Sequence, residues 1–292
     1  MTKISDKVMA QIRNSMASTS KRKIVSLADF LLPQDVKTAD QLIGMGYDPV
    51  HAAYISAQNF LSYFAEMISV FPALEEFWEV GDFAITEYMP SGLPLSPLTQ
   101  SYFSGWLYLD VFFGPYRETI GTCLIDTYNA LSKDGSHMIE IIRTMQDSRM
   151  GLYEHCGLTD KYVILRELTS EREEVCLVPA GYRGKKGQLW FVRVLPSFLE
   201  KHPYSIVFTT PYIIKNPGKT EWLEYFSRLL PMTDTRSTAL SLFMKYGLTR
   251  FYWPEYIFNA YCGGQNDAIY LKGLPQQTNS FKNSKINPAY DL

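Results

Sequence analysis

The sequence predicts an α+β protein: a mainly helical N-terminal part, a small antiparallel β barrel or sheet of the SH3-like or OB-like kind, and a helical C-terminal part. Three observations predict it. The hydrophobic period changes near Gly151 from a helix-forming rhythm to alternation, and turns helical again after Asn216-Pro217-Gly218. Strand-like and helix-like runs are segregated along the chain, which argues against a doubly wound sheet. The strand-like runs are short and separated by turn residues over about 65 residues, as in small curled sheets.

Residues 1–23 form a basic amphipathic helix. Ile4, Val8, Ile12 and Met16 recur every four residues, with Lys3, Lys7 and Arg13 off that row. Such a helix docks on its own core, on a partner or on an anionic membrane surface. The lack of large aromatics in the stripe favours its own core, and "STSKRK" after it reads as a hinge. Residues 24–150 read as an acidic helical domain. Asp48 caps and Pro49 opens a helix with Ala52, Ile55, Phe60, Phe64, Met67 and Ile68 at helical spacing, and Phe71-Pro72 ends it. "ALEEFWEV" reads as a short helix closed by Gly81. Pro90, Pro94 and Pro97, with Gly92, make an extended connector. A helix capped by Ser96 or Thr99 follows, with Tyr102, Trp106, Leu109 and Phe113 on one face. "ETIGTCLIDTYNAL" and "MIEIIRTMQDSRMGLYE" are further helices about the turn "SKDGS".

Residues 151–215 form the β module. Val163 and Leu165, then Val175 and Leu177 after the turn "LTSERE", are expected to point one way. "GQLWFVRVLP" and "YSIVFTTPYII" are two more strands, with Trp190 and Val192 alternating against Phe191 and Arg193. Residues 216–264 return to helices, with Trp222, Leu223, Phe226 and Leu230 on one face and ends at Gly247 and Gly263-Gly264. Residues 265–292 read as a loosely held polar tail.

A hydrophobic share of 46% and a charged share of 20% fit a folded chain rather than a disordered one. The net charge of -2 conceals an asymmetry: six Lys/Arg against one acid in residues 1–23, five against eighteen in 24–160, and seventeen against eleven in 161–292. The acidic part is therefore a candidate to meet the basic parts, in the same molecule or in a neighbour. Cys123, Cys156, Cys176 and Cys262 are widely spaced, with no C-x-x-C, and the four His lack metal-ligand spacing. No stretch is long and apolar enough to span a bilayer or serve as a secretory leader. The expectation is a cytoplasmic protein with reduced thiols, no cofactor and no metal.

Two constellations carry candidate chemistry. "GYRGKKGQLWFVRV" places Arg183, Lys185 and Lys186 on a glycine loop with Tyr182, followed by Arg193 on a strand. Cations hold phosphates and rings stack bases in barrels that bind single strands. The same residues also suit a solvated hairpin, and a pI near 6.1 is low for a dedicated nucleic-acid binder. The second constellation joins Asp110, Glu118 and Asp126 as an acidic site for Mg²⁺ or acid–base work, with Glu118 at a helix start.

The stretches "YMPSGLPLSPLTQSYF", "RETIGTCLID", "SRMGLYEHCG", "VPAGYRGKKGQLWFVRVLP", "VFTTPYII" and "YGLTRFYWPEYIFNAY" resemble a family of uncharacterised bacterial proteins of unknown function, over about Phe71 to Leu274. The resemblance implies a bacterial, intracellular protein and carries over no functional residue. The expected function is a non-enzymatic binding or regulatory protein working through protein partners or self-association, as in a defence-type complex, with nucleic acid contacted through the basic loop. The alternative is a metal-dependent hydrolase using the acidic residues of the helical domain.

Overall fold

A computed structural model of the chain describes residues 2–19, 37–91, 93–131, 137–229 and 236–275. Most of the expected hinge, the "SKDGS" turn, the side chains of Met16 and Leu230, and the tail after residue 275 lie outside the described residues. The chain divides into two compact units, residues 1–82 with 104–147, and residues 83–103 with 148–292.

The first unit is helical. It holds α1 (Ile4–Thr19), α2 (Ala39–Gly44), α3 (Pro49–Ile68), the start of α4 (Glu75–Tyr88), the end of α5 (Gln100–Leu109), α6 (Ile120–Leu131) and α7 (His137–Asp147). The Asp48 carboxylate accepts from the Val50 and His51 amides, so the expected cap starts α3. Its core stripe is Ala52, Phe60, Phe64 and Ile68, broadened by Tyr54, Ala57, Leu61 and Ala65. Gly81 does not end α4. Phe77, Val80, Ala84 and Tyr88 are all buried, and this stripe carries the helix through the glycine at a cost of about 1 kcal/mol. On α1, Ile4, Val8 and Ile12 are buried and the helix packs on α6. The basic helix thus docks on its own unit.

The second unit is built on an eight-stranded sheet. Its strands are β1 (Met150–Thr159), β2 (Tyr162–Glu167), β3 (Glu173–Leu177), β4 (Leu189–Leu195), β5 (Ser205–Val207), β6 (Tyr212–Asn216), β7 (Tyr261–Gly264) and β8 (Ile269–Lys272). Pairing in the order β1-β2-β3-β5-β4, with β4 returning to β1, closes a five-stranded barrel. β4 also pairs β6, from which β8 and β7 extend the sheet. The sheet is mixed rather than purely antiparallel, because β3–β5 and β6–β8 are parallel.

Four sequence expectations are corrected here. The helical run through Glu154 stops at Asp147, and β1 starts at Met150. Val163 pairs with Cys176, so Cys176 and Val178 face the interior while Val175 and Leu177 turn outward. In a run such as "EVCLVP" both parities are apolar, and the turn length sets the register. "YSIVFTTPYII" breaks into β5 and β6 around Pro211. Residues 261–272, read as a helix end and tail, supply β7 and β8.

Tyr153, Val163, Leu165, Cys176, Trp190 and Val192 fill the interior. Helices α8 (Lys219–Leu229), α9 (Arg236–Tyr246) and α10 (Tyr252–Ala260) complete the unit. The outer residue Phe191 of β4 packs at a tilt against Trp253 and edge-to-face against Tyr256 of α10, with ring centroids 5.0 and 6.2 Å apart, and Trp222 of α8 reaches Tyr256 at 5.7 Å. The aromatic run "RFYWPEYIFNAY" is therefore core packing. Residues of the proline-rich connector join this unit: the Tyr212 hydroxyl donates to the Pro97 carbonyl at 3.2 Å.

Candidate nucleic-acid interface

Residues 178–188 link β3 to β4 and lie against one end of the barrel. Gly181, Gly184 and Gly187 take φ of +90°, +63° and +86°, where L side chains are disfavoured. Gly184 is also pressed onto the barrel: a Cβ there would lie 2.5 Å from Trp190 Cζ2. Backbone bonds sew the loop to β1. The Gly187 amide donates to the His155 carbonyl, and the His155 amide donates to the Gln188 carbonyl, each at 2.8 Å. Gln188 Oε1 accepts from the Lys185 amide at 2.8 Å and from the Tyr182 hydroxyl at 3.3 Å. His155 Nε2 lies 2.9 Å from the Arg183 carbonyl. A carbonyl only accepts, so Nε2 carries the proton and the neutral ring keeps Nδ1 bare. Burial pushes this imidazole below its ordinary range, which favours the neutral form.

The loop backbone is thus fixed, and Arg183, Lys185 and Lys186 project into solvent. The Arg183 guanidinium donates to the Asp160 carbonyl in the β1–β2 turn, which places that turn at the same barrel end. Tyr182 is half-buried with its ring 5.3 Å from Trp190, so it props the loop rather than standing free. Arg193 is withdrawn from the set. It is 1% exposed, and its guanidinium donates to the Ser148 carbonyl and hydroxyl at 3.3 and 3.1 Å. Alternation put Arg193 on the outer face as expected, but that face is covered.

A groove of about 410 Å³ opens beside the loop, lined by Lys185, Lys186, Gln188, Ile213, Lys215 and Gly218 among others. Lys215, at the end of β6, was not among the sequence candidates. Its ammonium lies 4.0 Å from the centroid of the half-buried Tyr270 ring on β8. No carboxylate among the described residues pairs with these three lysines, whereas Lys219 is held by Glu154 at 2.9 Å. Only the β4–β6 pairing brings residues 185–186 to residue 215, and nothing local in "IIKNPGK" signals it. Lysine ammoniums act as point charges, suited to phosphate oxygens rather than to base edges.

The acidic residues have other work. Glu118 precedes α6, in a bridge with Phe113, rather than on a helix with Asp126. Its two carboxylate oxygens accept from the Ile4 and Ser5 amides at 2.6 and 2.9 Å, capping the N-terminus of α1. Asp126 pairs with Lys3 at 3.1 Å, and Asp110 is buried just after α5. Among the described residues no group of His, Cys, Asp and Glu is placed to hold a metal ion. Burial pushes the Cys123 thiol far up, away from the reactive thiolate.

No helix among the described residues is long and apolar enough to cross a membrane. No family model, no curated protein and no solved structure matches the chain.

Proposed function

We propose that the protein acts by binding rather than catalysis, and that its barrel holds the phosphate backbone of a single-stranded nucleic acid. The observation that carries this reading is the convergence of Lys185, Lys186 and Lys215 on one groove beside a rigid loop. Their charges have no acidic partner among the described residues, and a fixed scaffold lowers the ordering cost of binding. The barrel type supports the same reading. β1 pairs both β2 and β4, and β5 returns beside β3 in parallel. That Greek-key return favours the OB-like over the SH3-like alternative; OB-type barrels bind oligonucleotides on the face of strands 2–3 with the β1–β2 and β4–β5 loops, and the lysine groove shares with that surface only the end of the barrel where Arg183 meets Asp160 in the β1–β2 turn. The contact is expected to be indifferent to sequence, because lysines on phosphates carry no base information. The metal-hydrolase alternative loses its support where Glu118 is spent on α1.

The test is fluorescence anisotropy with a labelled oligothymidylate across a salt series. Saturable binding at low salt should weaken by a log–log slope of roughly 0.7 per phosphate contact, and the triple variant Lys185→Ala/Lys186→Ala/Lys215→Ala should lower that slope by about 2. All three side chains lie on the surface, so the variant keeps the fold. Equal binding by the native chain and the variant, or none at low salt, would sink the reading.

A further inference from the structure

The lysine groove holds cations, but with Tyr182 spent on propping the loop it has no ring assigned to a base. Proteins that hold single strands pair the two, because cations grip phosphates and rings stack bases. A second ring stands among these lysines. It is Tyr270 of β8, with the Lys215 ammonium 4.0 Å from its centroid.

The pairing of β6 with β8 brings them together. Ile214 pairs with Leu271 and Asn216 with Lys272, so Lys215 is the extra residue of a bulge. A bulge re-aims its side chain, and here Lys215 reaches across to β8. Tyr270 is half-buried, packed against the barrel core and covered by the Lys215 ammonium. Lys272, two residues on, falls on the same face of β8 and is exposed. No carboxylate among the described residues pairs with Lys272. Asp267, the acid near Tyr270, precedes the opposite end of β8. Lys185 and Lys186 before β4, Lys215 near the end of β6 and Lys272 at the end of β8 thus lie at one end of three neighbouring strands, spaced about 5 Å apart.

We propose that Tyr270 is the base-stacking platform of this site and that Lys272 extends its phosphate contacts across β8. The inference rests on the nucleic-acid reading above and adds a base contact to it. Lys215 is a placeholder in the free protein. Its charge sits on a flexible stem, and a phosphate offers it a charge-assisted bond stronger than its hold on an exposed ring. Drawn to a phosphate, Lys215 uncovers the ring for a base. Stacking tolerates any sequence, because every base has a π-face.

The test compares a labelled oligothymidylate with an abasic oligonucleotide of equal length, by anisotropy across a salt series. The native chain should bind the oligothymidylate about tenfold more tightly. Tyr270→Leu should bind both oligonucleotides alike, with unchanged circular dichroism, and Tyr270→Phe should restore the preference. The salt slope should be unchanged in Tyr270→Leu, since stacking releases no counterions, and should fall by roughly 0.7 in Lys272→Ala. Indifference of the native chain to base removal, a preference kept by Tyr270→Leu, or an unchanged slope in Lys272→Ala overturns the inference. If binding in those cases still responds to the triple lysine variant, the nucleic-acid reading survives; no binding at low salt sinks both.

Discussion

Gly184 is where loop and barrel press most closely. It combines a left-handed φ with a Cβ position 2.5 Å from Trp190 Cζ2 and 3.2 Å from His155 Cδ2, while Gly187 has the same sign of φ and open space. Gly184→Ala should therefore destabilise by about 2–4 kcal/mol and Gly187→Ala by about 1 kcal/mol, read from urea denaturation midpoints. Equal costs would mean that the loop yields at Gly184. His155 beneath it gives a pH signature. Burial holds the folded imidazole below its ordinary value of 6.5, so the unfolded chain takes up the proton first as the pH falls. The stability tied to His155 is full above 6.5 and shrinks below it, until the folded ring itself takes the proton. His155→Gln keeps an amide donor for the Arg183 carbonyl and should flatten denaturation free energy between about pH 7.5 and pH 5.5. A residual slope of the same sign should remain from His51, whose ring is also lowered by burial. An unchanged slope in the variant would place the titration elsewhere.

Helix α1 is seated by charge at one end and by apolar side chains along its length. Glu118→Ala leaves the Ile4 and Ser5 amides without their carboxylate and should loosen α1 by about 2 kcal/mol, seen as faster amide exchange at Val8 and Ile12. Lys3→Ala removes only an exposed ion pair and should do less. Unaltered exchange in Glu118→Ala would deny the cap. The element was legible in the sequence through its four-residue stripe, but its seat was not. "GPYRETIG" marks Glu118 as a helix-start acid, which it is for a helix 114 residues away. Register failed for a similar reason. Val175 and Leu177 sit in a run apolar at both parities, so pattern alone could not choose between them and Cys176 with Val178.

For the molecule as a whole, the order of helices, barrel and helices followed from the switch in period, because buried strand faces and helix stripes leave different rhythms in the same chain. The division into units did not. Residues 83–103 fall with the barrel through contacts such as Thr210 with Ser101 and Tyr212 with Pro97, which no local pattern announces. β7 and β8 have four residues each, with two glycines in β7, too short and too plain to read as strands. Electrostatics also needs the folded scale. A pI near 6.1 argues against an anion binder, yet screening limits each charge to about 8 Å at physiological salt, so three clustered lysines govern their own groove.

The parallel rung between β6 and β8 has a consequence for vectorial synthesis. As the polypeptide leaves the ribosome, β6 can join β4 long before Ile269–Lys272 has been translated. Until then β6 presents a bare flank to every neighbouring nascent chain. A chain cut short before Ile269 would keep the closed five-stranded barrel with that flank left sticky, a form destined for clumping or for chaperone custody.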